Sequence, residues 1–98
     1  MTRYLVIWKA VNSRFPENRE AKIKQQIGFT QLVQEALKSG GPLKEWATIP
    51  DGTMGYAIFD GSEIDMGVMA TFYTPYFEFE VHPIMTADQF MGILKTAA

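Results

Sequence analysis

From Thr74 to Ile84 the chain reads Thr-Pro-Tyr-Phe-Glu-Phe-Glu-Val-His-Pro-Ile, and no other stretch limits its folding options so tightly. Phe77, Phe79 and Val81 alternate with Glu78, Glu80 and His82, so apolar and polar side chains fall on opposite faces of a strand. Pro75 and Pro83 bracket it, because proline cannot donate to a central ladder. The stretch also holds the single histidine of the chain.

The remaining elements can be placed around this strand. Tyr4 to Trp8 is a continuous apolar run between Arg3 and Lys9, the pattern of a strand buried on both faces and therefore central in its sheet. After the loop Asn12 to Phe15, Pro16 suits a first helical turn, with Glu17 and Glu20 near the positive end of the helix. Ile23, Ile27, Thr30, Val33 and Leu37 recur at helical spacing and predict its buried stripe. Lys38 followed by Gly40-Gly41-Pro42 stops it. A helix from Glu17 to Ser39 would be about 34 Å long, against under about 20 Å for a typical strand. It is therefore expected to kink at Gly28 or to overhang the sheet and meet a second subunit.

Leu43 to Ile49 and Met54 to Asp60 read as two strands joined by the turn Pro50-Asp51-Gly52-Thr53. Ser62 and Asp65 form a capping box for a second helix, and Thr86 and Gln89 one for a short helix docked through Phe90, Ile93 and Leu94. The second helix is apolar on two sides, Ile64-Val68-Thr71-Phe72 and Met66-Met69-Tyr73, and so calls for two packing partners. Of these, the methionine side is assigned to a subunit contact or a ligand-facing surface. The order β-α-β-β-α-β-α predicts a single α+β domain over residues 1–98, with a four-stranded antiparallel sheet of ferredoxin-like type and an added C-terminal helix. With helices on one face, the other face carries either Leu5 and Ile7 or Tyr4, Val6 and Trp8. A second copy of the sheet is the simplest cover, which argues for a homodimer.

Composition narrows the function classes. Hydrophobic residues make up 47% of the chain, with seven Phe, four Tyr and two Trp, enough for a core in a small domain. Nine basic and eleven acidic residues leave a net charge of −2, which gives no electrostatic footprint for nucleic acid. The absence of cysteine excludes disulfides, thiolate nucleophiles and Cys-based metal sites. No apolar run approaches the roughly 20 residues of a membrane span, and the N-terminus lacks a signal-peptide pattern. A soluble, cytoplasmic protein is expected.

Tyr4-Leu-Val-Ile-Trp8 at the start and Phe79-Glu-Val-His-Pro-Ile-Met85 near the end, in this element order, resemble the dimeric α/β-barrel superfamily. The likeness is to one of its small uncharacterised bacterial and archaeal families, a domain of unknown function that opens with a Tyr-Leu-Val-Thr-Trp run and closes with a Phe-Glu-Val-x-Pro-Val strand. The stretch Arg14 to Ser39 is longer and more polar than that pattern. The resemblance implies a homodimeric barrel. The superfamily spans cofactor-free monooxygenases, haem-binding degraders, chlorite-splitting enzymes and muconolactone isomerases, and fold analogy does not select among them.

Several residues are candidates for a site. His82 titrates near neutral pH and could carry a proton; the ordinary alternative is a half-exposed histidine at a strand end. Glu78, Glu80 and His82 share one strand face, but successive same-face positions stand about 6.6–6.8 Å apart, too far for one ion, so no metal is expected. The glutamates are better placed to pair with Arg3 and Lys9 on the adjacent first strand. Tyr4, Trp8, Trp46 and Tyr56, with Glu80, could line an aromatic pocket, or the aromatics could simply fill the core. The acids of Asp60 to Asp65 lack the spacing of a calcium loop. No cofactor is expected. Two functions compete: a homo-oligomeric module that binds a small apolar or aromatic molecule or self-assembles without catalysis, and a small cofactor-independent oxygenase or isomerase acting on a planar substrate through His82. The second requires His82 inside an enclosed cleft.

Overall fold

A computed structural model describes residues 2–98. The elements are β1 (Thr2–Ala10), α1 (Arg19–Lys38), β2 (Leu43–Thr48), β3 (Met54–Gly61), α2 (Glu63–Tyr73), β4 (Phe77–Ile84) and α3 (Ala87–Ala97), with a 3-10 turn at Asn12–Arg14. The four strands form one antiparallel sheet in the order β2-β3-β1-β4. The chain is thus α+β with β1 and β3 central, an order that fits a ferredoxin-like arrangement. The apolar run Tyr4 to Trp8 lies in the middle of the sheet for the reason given by its sequence: both of its faces are apolar. Pro83 sits within β4 and not beyond it, which an edge strand tolerates.

Local signals set the element ends. Asn18 caps α1, its side chain accepting from the Ala21 N–H at 3.0 Å, so the helix starts two residues beyond the expected Glu17 and Pro16 stays in the preceding loop. Gly40 follows the helix with φ 73°, where a side chain would be strained. Ser62 with Asp65 and Thr86 with Gln89 form the two capping boxes. Asp51 accepts from the Thr53 N–H and hydroxyl in the β2–β3 turn, and Gly52 takes φ 75°.

Register decides which side chains share a face. Trp8 stands opposite Gly55 and Phe79, Val6 opposite Ala57 and Val81, and Tyr4 opposite Phe59 and Pro83. Tyr4, Val6, Trp8, Phe15, Leu43, Ala57 and Met66 are the buried hydrophobic residues, and α1 and α2 cover this face. The opposite face carries Leu5, Ile7, Ile58, Tyr56 and Ala47, flanked by charged residues, and no helix packs on it.

Three packing expectations need correction. In α1 the inward residues are Phe29, Val33 and Ala36 with Gln26, whereas Ile23, Ile27 and Leu37 are exposed. The stripe is rotated by about one residue, since the aromatic cluster at Phe15 and Phe77 draws Phe29 inward. In α2, Met66 and Met69 face the chain's own core and not a subunit contact, with Met69 and Tyr73 also lining a cavity described below, so the exposed side is Ile64, Val68 and Phe72. Helix α3 forms but does not dock: Phe90, Ile93 and Leu94 are half exposed, and α3 makes no substantial contact with another element. Helix α1 runs through Gly28 without interruption.

Candidate ligand pocket

The two helices that cover the sheet do not close over it completely. Between α1, α2 and the sheet lies an apolar cavity of about 280 Å³. Its floor is Val6, Trp8, Ala57 and Phe59, its walls are Trp46, Phe77 and Phe79 with Phe29, Val33, Met69 and Tyr73 from the helices, and Asp51, Gly52 and Gln26 stand at one end. Strand alternation produces this floor, because Trp8 and Val6 point to one side while Ile7 and Lys9 point to the other.

Aromatic rings build the walls. Trp8 and Trp46 stack with centroids 5.2 Å apart and planes 11° from parallel. Phe77 is the hub, touching Trp8, Phe15, Phe29, Tyr73 and Phe79 with centroid distances of 5.2–6.4 Å. Edge-to-face pairs of this kind stabilise by about 0.5–1.5 kcal/mol beyond their buried area. Burial holds the Tyr73 hydroxyl above its usual titration range, so it is a neutral O–H at physiological pH.

One polar group in this apolar wall has no partner. The Trp8 indole Nε1 is buried and meets no acceptor, although Trp8 is only 5% exposed. A buried indole N–H normally finds one, and leaving it unpaired costs about 1–3 kcal/mol. A second cavity of about 220 Å³ adjoins the first and shares Phe15, Gln26, Asp51 and Gly52 with it; its other lining includes Asn12, Lys22 and Thr53. At this polar end the Thr53 hydroxyl and N–H hold the Asp51 carboxyl below its ordinary range, so Asp51 is an anion there.

No protein-family model, curated protein or solved structure matches the chain.

Of the residues singled out from sequence, Trp8 and Trp46 line the cavity. Tyr4 is on the same face but belongs to the packed core with Val6, Leu43, Ala57 and Met66. Tyr56 and Glu80 do not line it. Both stand opposite Ile7 in the register, one residue out of step with Trp8, and so project from the other face of the sheet. His82, opposite Leu5, is on that face too, with its side chain 58% exposed and Nε2 3.6 Å from Oε2 of Glu80. It is outside both cavities. Arg3 does not pair with the glutamates: its Nε and Nη2 donate to Oδ1 and Oδ2 of Asp60 at 2.6 and 2.8 Å. Lys9 stands opposite Glu78. The Glu45 carboxylate, on the same face as Tyr56, holds that phenol above its usual range.

Phe15, Phe29, Phe77 and Phe79 lie outside the residues expected in the pocket, whereas Met69 and Tyr73 line it, as the ligand-facing alternative for that side of α2 expects. The alternation of Phe77 and Phe79 marked them as one face, and only the pairing of Trp8 with Phe79 shows that this face is the cavity's. Phe15 is positioned by the 3-10 turn before it, for which the sequence carries no periodic signal.

Proposed function

We propose that this chain is a homo-oligomeric binding module for a small, flat, mostly apolar molecule that carries a hydrogen-bond acceptor. The observation that carries the proposal is the cavity itself: an apolar space lined by a Trp–Trp stack, in which one of the two lining indoles, Trp8, keeps a buried N–H without a partner. Apolar cavities of about 150 Å³ already admit benzene, so 280 Å³ leaves room for a fused two-ring compound. A carbonyl or ether oxygen on that compound would accept from Trp8 Nε1 once a small turn of the indole brings that sealed atom to the cavity surface, and the rings would stack on indole and phenyl faces. This is a recognition chemistry without a nucleophile, and His82 contributes nothing to it. The reading in which His82 moves a proton for an oxygenase or isomerase needs an enclosed histidine; within one chain His82 is exposed and outside both cavities, so that reading depends wholly on what a second sheet would enclose on its face.

Association rests on different residues. The open sheet face bears an apolar strip of Leu5, Ile7, Ile58 and Ala47 between the Arg3–Asp60 pair and the Glu78-Glu80-His82 row. A second sheet laid on this strip would give the dimeric α/β barrel implied by the strand motifs, and the charged flanks suit its rim. A cytoplasmic setting goes with a cysteine-free chain in which, among the described residues, no helix is long and apolar enough to cross a membrane.

Calorimetric titration with coumarin, which offers a carbonyl, and with naphthalene, which does not, tests the binding proposal. Coumarin should bind more tightly, and Trp8→Phe should lower its affinity by about two- to ten-fold more than that of naphthalene, the value of one neutral hydrogen bond beyond the stacking area both ligands lose. Ala57→Leu, which extends a buried side chain into the cavity, should abolish both. Absence of saturable binding by either compound would overturn the proposal.

A further inference from the structure

Helix α3 ends up with an apolar stripe and nothing beneath it. Phe90, Ile93 and Leu94 are 52%, 50% and 48% exposed at i, i+3 and i+4 spacing. The 11-residue helix lies below the length at which isolated helices hold in water, so it needs a packing partner. The molecule is drawn out to 57 Å by 25 Å by 24 Å, and its radius of gyration of 16.0 Å exceeds the about 13 Å of a compact domain of this size. The chain also presents the complementary surface. Ile64, Val68 and Phe72 form the outer stripe of α2, exposed by 78%, 65% and 66%. Helix α2 has the same length of 11 residues.

We propose that α3 is an exchanged arm that packs antiparallel on α2 of a second copy of this chain. Topology and charge weigh against return of α3 to its own helical layer. Gly61 pairs with Thr2 and Ile84 with Arg3, so α2 and α3 both leave the same end of the sheet. If α3 folded back over its own helical layer it would run parallel to α2, laying Asp88 and one positive helix terminus beside Glu63, Asp65 and the other acidic start. Against a second copy the antiparallel direction is open. It places Lys95 in the last turn of α3 beside Glu63 and Asp65 in the first turn of α2, and aligns the two helix dipoles favourably. The rows Phe90–Leu94 and Ile64–Val68–Phe72 both follow four-residue spacing, the ridges that interdigitate in the commonest class of helix pair. A two-fold axis would bury both stripes of both copies at once, by contacts separate from those of the open sheet face.

The chain has no cysteine, so engineered pairs report this contact alone. Val68→Cys and Leu94→Cys single variants of the full chain, mixed and oxidised, should give a covalent dimer on a non-reducing gel that neither variant gives alone. The double variant should form covalent dimers or larger species. Adding Lys95→Glu should reduce the cross-linking rate by about two- to three-fold, and Glu63→Lys should restore it. A disulfide closed within one double-variant chain, cross-linking of Leu94→Cys to Ile7→Cys in place of Val68→Cys, or no disulfide from any pair would overturn the proposal.

Discussion

Gly55 shows how closely the sheet and the pocket floor depend on single atoms. It lies in β3 opposite Trp8 and Thr48, and a Cβ there would run into the Ala47 carbonyl and Cζ2 of the Trp8 indole. Neither the backbone nor an indole stacked on Trp46 can give way easily. Gly55→Ala should therefore destabilise the fold by about 2–3 kcal/mol in urea unfolding and change the tryptophan emission; an unchanged midpoint would show that β2 can move aside. On the opposite face, the Arg3 guanidinium holds the Asp60 carboxyl below its ordinary range, mainly through the direct hydrogen bond. Asp51 is lowered by Thr53 in the same sense. For a depressed carboxyl the unfolded state binds more protons within the window between the two pKa values. Stability is then full above the unfolded value near about 4 and is lost as pH falls through the lower folded value. Thermal midpoints should be flat from neutral pH to about 5 and fall below about 4, with a shallower fall for Asp60→Asn. An equal acid slope in wild type and variant would deny Asp60 that role.

Among the elements, α1 and α3 depart most from what their sequences imply. Gly28 lies inside the continuous helix α1 with nothing within 4 Å of the position its Cβ would take. Gly28→Ala should thus stabilise the protein by about 0.5–1 kcal/mol in chemical unfolding, and a loss of stability would mean that the site is covered. The strands and their order were legible because Phe77-Glu78-Phe79-Glu80 alternates and Tyr4 to Trp8 is apolar throughout. Both capping boxes and the Asp51-Gly52 turn were legible because each is decided within four residues. The phase of an element was not. Helix α1 carries Ile23, Ile27 and Leu37 on one side and Phe29, Val33 and Ala36 on another, so its period fixes a helix without saying which side meets the sheet. Strand β3 has the same ambiguity: Tyr56, Ala57, Ile58 and Phe59 are apolar on both faces, and only the register with β1 sends Ala57 to the cavity and Tyr56 away. Glu80 was already separated from Phe79 by strand alternation, but nothing local tied Phe79 to the face of Trp8.

The whole molecule divides its apolar surface unusually for a chain of this size. Sixteen large hydrophobic side chains are exposed among the described residues, whereas the buried hydrophobic residues number seven with an alanine among them, so the buried set alone is a thin core. Burial on the sheet strip and along α2 and α3 is where the missing stabilisation would come from. Ile7→Glu places a charge in the centre of that strip, beside Glu80, and should raise the dissociation constant measured by sedimentation at least about ten-fold while leaving coumarin binding in place. An unchanged constant would assign association to other surfaces. The central claim, however, concerns the cavity, and its two tryptophans are the only indoles in the chain. A ¹H–¹⁵N spectrum therefore contains two side-chain indole signals, and Trp8→Phe assigns them. On titration with coumarin, the Trp8 Nε1–H signal should move downfield and saturate as it gains an acceptor, and naphthalene should not produce that downfield movement. A Trp8 signal that stays in place while coumarin is bound elsewhere, or that is already hydrogen-bonded in the free protein, would contradict the account.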